Sequence, residues 1–171
     1  MKITAQEEYG LRCLLRLAKA DEGSSLTIPD VAAAEGLSEP YVAKLLAVLR
    51  KSGVVESERG RSGGYRLAKS AGDIGLGSLL LILGEPLFDE PAYCDRHSGT
   101  ETDRCVHTGA CSLRGLWNTL EQWIRNTLDQ VTLADLLHNE QHIADLVRSK
   151  LNDSVLEQQP ELVTLNMMGD N

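Results

Sequence analysis

Three cysteines, Cys94, Cys105 and Cys111, fall within the eighteen residues CDRHSGTETDRCVHTGAC. The stretch is polar and contains glycine, so it buries little apolar surface and has no packing reason to collect thiols. Thiolates that hold a metal or a cluster would supply a reason. Two histidines share the stretch. Cys94-x2-His97 and Cys105-x-His107 together offer four sulfur and nitrogen donors, a set that suits zinc and also an iron–sulfur cluster. The paired CxxC or HxxxH knuckles of common zinc modules do not occur, and spacing alone leaves both metals open. The fourth cysteine, Cys13, lies on the apolar face of a predicted helix and reads as a buried structural thiol.

The rest of the chain must position this stretch. Its 171 residues suit one domain, or a small domain with a helical arm; 42% are apolar and 25% charged, the balance of a soluble globular protein. No apolar run approaches the roughly 20 residues of a membrane span, and MKITAQEEYGL lacks the apolar core of a secretory signal. A cytoplasmic protein is expected, where clustered cysteines serve as metal or redox groups more often than as disulfides. The net charge of −8 is unevenly spread. Residues 1–70 carry eleven basic and nine acidic side chains, a balance of +2, and residues 71–171 carry six and sixteen, a balance of −10. Such asymmetry suits a first half that meets a polyanion.

Apolar positions Tyr9, Cys13, Leu14, Leu17 and Ala18 repeat with helical spacing over Ala5 to Ala20, and Thr4 with Glu7 predicts a capping box. Glu8 and Arg12, four residues apart, predict a solvated ion pair on that helix. Thr27 caps a short second helix that ends at Gly36, where a positive φ is cheap for glycine. Ser38 then opens a third helix with the core stripe Val42, Leu45, Leu46 and Leu49. Short helix, turn and longer helix form a helix-turn-helix, whose second helix would present Ser38, Tyr41 and Lys44 to the major groove. Residues 54–58 and 65–67 predict a hairpin around Arg59-Gly60-Arg61-Ser62-Gly63-Gly64, a cationic wing fit for phosphates and a narrow minor groove. The glycines are not a phosphate loop, because no Gly-Lys-Ser/Thr opens a following helix.

Asp73 predicts the cap of a buried helix from Ile74 to Leu83. Residues 85–111 read as a polar loop, its entry kept extended by Pro86 and Pro91. Ser112 predicts the cap of a long helix with the stripe Leu113, Leu116, Trp117, Leu120, Ile124 and Leu128, on the order of 25 Å long. A winged helix cannot cover so long an apolar face, so a second copy is expected to. That copy would also supply the paired recognition helices a palindromic operator requires. Thr132 and Asp135 predict a further capped segment. From Asn152 the periodicity fades, and a frayed tail is expected.

With MKIT before the first helix, GLSEPYVAKLLAVLRKSGVVESERGRSGGYRLAK across the helix-turn-helix and wing, and the cysteine stretch before a long helix, the chain resembles a known family over residues 1–147. These are the bacterial winged-helix regulators typified by the iron–sulfur cluster regulator IscR, the nitric-oxide sensor NsrR and the iron-responsive RirA. The resemblance implies that Cys94, Cys105 and Cys111 ligate a [2Fe-2S] or [4Fe-4S] cluster. The interval between Cys105 and Cys111 matches the family, whereas ten residues between Cys94 and Cys105 stand where five are usual. A longer loop still closes at modest entropic cost. For the fourth ligand, the histidine that follows the last cysteine in the IscR branch is Arg114 here. The acidic residue that the partner subunit supplies in the NsrR branch is Glu8. A related redox sensor pairs a glutamate with a histidine one turn later, where this chain has Arg12. Glu8 is therefore the first choice, with His107 and His97 as alternatives.

The expectations are then a mainly α fold, a winged helix-turn-helix over 1–72 followed by a sensor loop and dimerisation helices over 73–151 and a tail over 152–171. The chain should be a homodimeric transcriptional regulator, a repressor that reads double-stranded DNA and senses iron, redox state or nitric oxide through its cluster. The alternative is a zinc-binding or cluster-carrying redox or interaction module without an operator. No nucleophile–base pair or cofactor fingerprint points to an enzyme.

Overall fold

The computed structural model describes residues 3–21, 24–58, 60, 63–86, 88, 90–97, 105, 107 and 110–157, with the side chains of 90–92 and 152–157 left aside. The first helix, α1 (Ala5–Ala18), opens with the expected capping box. The Thr4 hydroxyl accepts the Glu7 N–H at 3.2 Å, and the Glu7 carboxylate accepts the Thr4 N–H at 2.7 Å. The same device starts α2 (Ile28–Glu35), with Thr27 and Asp30 in the two roles. Gly36 ends α2 with φ 66°, a left-handed conformation in which a Cβ would be strained. Ser38 stands at the N-cap of α3 (Glu39–Lys51), although its side chain makes no capping hydrogen bond.

The apolar stripes of these three helices face one another. Cys13, Leu14, Val31, Val42, Leu45, Leu46 and Leu49 are fully buried, each of the larger ones contributing about 1.5–3 kcal/mol through burial. After α3 the chain forms the hairpin β1 (Val55–Ser57) and β2 (Tyr65–Leu67), paired antiparallel as Val55↔Leu67, Glu56↔Arg66 and Ser57↔Tyr65. Leu26 adds a third rung, exchanging both backbone hydrogen bonds with Tyr65 at 2.8 and 2.9 Å. The hairpin can lie this close because Gly64 has no side chain: a Cβ there would stand 2.6 Å from the Leu26 carbonyl oxygen. Arg66 forms ion pairs with Glu56 and Glu58, each at 2.8 Å, so its charge is offset by the hairpin's own carboxylates. Three helices and a hairpin make the expected winged helix.

The next segment departs from expectation. Asp73 does not cap a helix at Ile74 but closes a 3-10 turn, Ala71–Asp73, and α4 (Leu76–Leu83) begins after Gly75. Tertiary pairing explains the shift. Ile74 O accepts Leu133 N–H at 2.8 Å and Leu76 N–H donates to Val131 O at 2.7 Å, which holds this backbone extended against residues 131–133. Helix α4 packs between α1 and the later helix α6 (Ser112–Asp129). Ile74, Leu79, Leu83 and Leu133 join the same core as the first three helices.

The stretch expected to be all loop contains a short helix, α5 (Glu90–Arg96), and Pro91 sits in its first turn. Proline is tolerated there because the first N–H groups of a helix lack partners anyway. Phe88 is buried and its ring lies 5.1 Å from Tyr93, which in turn meets His97 at 4.4 Å, so an aromatic row anchors α5. At the start of α6 the cap is Cys111, not Ser112: its sulfur accepts the Arg114 N–H at 3.4 Å. Thr132 and Asp135 form the expected box ahead of the 3-10 turn Asp135–Leu137. The last helix, α7 (Glu140–Glu157), continues past Asn152, since no glycine or proline interrupts it. Among the described residues no helix is long and apolar enough to cross a membrane.

Candidate DNA interface and thiol-rich segment

Of the side chains expected to meet DNA, Ser38 and Lys44 are exposed at the start and second turn of α3. Tyr41 is half-buried. Its ring meets the Tyr9 ring of α1 edge-on, at 6.0 Å and 85°, an arrangement favoured by the aromatic quadrupoles. The recognition helix is thereby braced from behind by α1. Arg59 and Arg61 lie outside the described residues.

Sequence reasoning missed how α1 holds α2. Arg12 does not serve Glu8. Its Nε donates to Glu35 Oε2 at 3.0 Å and its Nη2 to the Glu35 backbone oxygen at 2.7 Å, while Arg16 Nε takes the other carboxylate oxygen at 3.0 Å. A long-range partner that is nearly buried and bound by two arginines outcompetes an exposed i, i+4 neighbour. Burial raises the Glu35 carboxyl, but hydrogen bonds from Arg12 and Arg16, then their charges, outweigh it and hold the group below its ordinary range. The one legible signal was Arg12 and Arg16 themselves, two cations a turn apart with no acid between them.

Glu8 is exposed on α1, one turn before Arg12. Cys13 is fully buried, as expected. Burial first, and the charge of Glu35 second, push its thiol up to about 11 against a smaller pull from Arg12. Since the thiolate is the reactive form, alkylation of folded Cys13 near neutral pH should run on the order of a hundredfold slower than an ordinary thiol. Pulse labelling with iodoacetamide and mass spectrometry would measure it. Rapid labelling of Cys13 before unfolding would contradict a sealed core there.

The three clustered cysteines lie between α4 and α6. Cys94 is half-buried in the last turn of α5 and carries a free thiol; Cys111 is half-buried at the N-cap of α6 and does likewise; Cys105, between them, is half-buried. His107 is exposed, and so is His97, whose Nδ1 lies 2.8 Å from the Tyr93 carbonyl oxygen. Among the described residues, no three Cys, His, Asp or Glu side chains come together as a metal's ligands would. The donor chemistry nevertheless fits an iron–sulfur cluster, for which thiolates are the ordinary ligands and N–H donors to sulfur, such as that of Arg114 to Cys111, tune the bound group.

A three-helix core, a winged hairpin and an exposed start to the recognition helix define a winged helix-turn-helix protein. The profile of the Rrf2 family, described as an iron-dependent transcriptional regulator, matches residues 3–139, and the chain belongs to this family. It is 38% identical over 151 residues to the HTH-type transcriptional regulator NsrR of Geobacillus kaustophilus, covering 88% of this chain and 99% of that one. It is 35% identical over 139 residues to protein rrf2 of Nitratidesulfovibrio vulgaris, covering 81% and 89%. Among solved structures, IscR of T. potens superposes with TM-score 0.62 at 31% identity, covering 80% and 86%. CymR of B. subtilis, the global cysteine regulator, gives 0.64 at 28% identity, covering 80% and 96%. The chain is thus a DNA-binding transcriptional regulator and not an enzyme. Because IscR and CymR superpose equally well, the fold itself does not choose a signal.

Proposed function

We propose that this regulator is a cytoplasmic homodimeric repressor that senses iron, redox state or nitric oxide through an iron–sulfur cluster held by Cys94, Cys105 and Cys111. The observation that carries the reading is the placement of two of those thiols, Cys94 ending α5 and Cys111 capping α6. Glu8 of a partner subunit is the preferred fourth ligand, with His107 the alternative. When bound, the cluster supplies a centre that oxidants, nitric oxide and iron shortage destroy. The residues 1–72 act as the DNA-binding part and 73–151 as sensor and dimerisation part. Ser38, Tyr41 and Lys44 address the major groove of a palindromic operator, and Arg59 and Arg61 the minor groove and phosphates. Ligand loss would free both the end of α5 and the start of α6, and so change the spacing of two winged helices.

Anaerobic purification tests the reading. Brown protein containing iron and acid-labile sulfide supports it; colourless protein with stoichiometric zinc sinks the cluster and favours the zinc alternative.

A further inference from the structure

Arg12 binds the end of α2 twice, through the Glu35 side chain and through the Glu35 carbonyl. That carbonyl is among the last of α2, where a cation is favoured by the helix dipole. Arg16 fixes the remaining carboxylate oxygen, so Glu35 cannot swing away without breaking both ion pairs. The guanidinium of Arg12 also lies over the Tyr9 ring, 5.4 Å from its centroid, and the edge of the Tyr9–Tyr41 pair carries the row on to the recognition helix. The turn of Gly36, Leu37 and Ser38 runs directly from Glu35 into α3. Residues at both ends of that turn, Glu35 and Tyr41, are thus gripped by one face of α1.

This grip differs from the core beneath it. Arg12 and Arg16 side chains remain 39% exposed and Glu35 12% exposed, so the cluster contributes direction more than apolar burial. A planar guanidinium that donates to a side chain and a backbone oxygen at once fixes an angle, which a lysine cannot reproduce. None of these groups stands among the side chains expected to touch DNA, apart from Tyr41.

We infer that Tyr9, Arg12 and Glu35 are positioning residues for operator recognition: they set the angle of α3 against the rest of the winged helix, and thereby the fit of Ser38, Tyr41 and Lys44 to base edges. Sequence-specific affinity depends on that angle, whereas attraction to phosphates depends on the count of cations and hardly on the angle.

The test starts with a duplex that wild-type protein selects from a random pool, and a scrambled duplex of equal length. Fluorescence anisotropy at several salt concentrations compares wild type with Glu35→Gln, Arg12→Lys, Tyr9→Leu and Tyr9→Phe. Glu35→Gln, Arg12→Lys and Tyr9→Leu should weaken binding to the selected duplex by between about 2-fold and 30-fold. Binding to the scrambled duplex, and the salt slope, should stay as in wild type, and Tyr9→Phe, which keeps the ring edge against Tyr41, should match wild type throughout. Equal losses on both duplexes, or no loss on either, overturn the inference. Should Tyr9→Leu fail to fold, Glu35→Gln and Arg12→Lys decide it, since both keep the bulk of the side chain. A pool that wild-type protein does not enrich overturns the operator reading as well, and the wild-type control separates that failure from failure of the positioning residues alone.

Discussion

Replacing Cys111 with serine should yield colourless protein that holds little iron or sulfide, yet melts close to the temperature of wild-type protein stripped of its cluster. The sulfur has two separable duties. As the N-cap of α6 it accepts the Arg114 N–H, and as a thiolate it would ligate the cluster. Serine is a better N-cap than cysteine and a poor cluster ligand, so Cys111→Ser removes the second duty and keeps the first. Cys111→Ala removes both and should add a loss of about 1 kcal/mol in stability. Cys105→Ser should lose the cluster as completely. Cys94→Ser is the diagnostic case, since the ten-residue interval before Cys105 departs from the family spacing. Anaerobic iron and sulfide analysis, with thermal melts by circular dichroism, reads all four variants. Full iron and sulfide in Cys111→Ser would remove Cys111 from the ligand set and with it the link between cluster and α6.

Residues whose partners lie three or four positions away were the legible ones. The Thr4–Glu7 box, the Thr27 cap, the end of α2 at Gly36 and the buried stripe of α3 follow from local hydrogen bonding and helical periodicity alone. The hairpin was equally readable, because an alternating stretch over 54–58 and its partner over 65–67 flank a glycine-rich turn. Misreadings came where distant contacts decide. Ile74 is drawn into pairing with residues 131–133, and Arg12 is taken by an acid 23 residues away. Helix α5 went unread because its seven residues carry too little periodicity, and its anchor, the row from Phe88 to His97, is aromatic packing that no helical template encodes. Cysteine is outside the usual capping set, so Ser112 looked the better cap than Cys111. The thiol-rich segment is a split case: residue types and spacing announce a ligand set, while assembling it demands geometry that a chain of polar residues does not dictate.

Helix α6 carries the second large effect, because its apolar stripe is only partly covered. The C-terminal half is met by α4, and Leu120, Ile124 and Leu128 are partly buried. Toward the N-terminus, Leu113 and Leu116 are 56% and 49% exposed, on one face and about a turn apart. With roughly half of each side chain still in contact with water, a symmetric pairing that covers four of them gains about 3–6 kcal/mol, which is a factor of about a hundred to ten thousand in the dimer dissociation constant. Leu113→Glu combined with Leu116→Glu replaces that gain with carboxylates of like charge facing one another, so the doubly substituted protein should sediment as a monomer at concentrations where wild type is expected to form the proposed dimer. Its helix content should be unchanged, since both positions are exposed within the chain and glutamate is a good helix former. Operator affinity should fall by at least about a hundredfold, because each half-site would have to be bound independently. If a cluster ligand crosses from the partner's α1, the same variant should also lose iron, whereas iron retained by a monomer would place all four ligands within one chain and remove Glu8 of the partner subunit from the site.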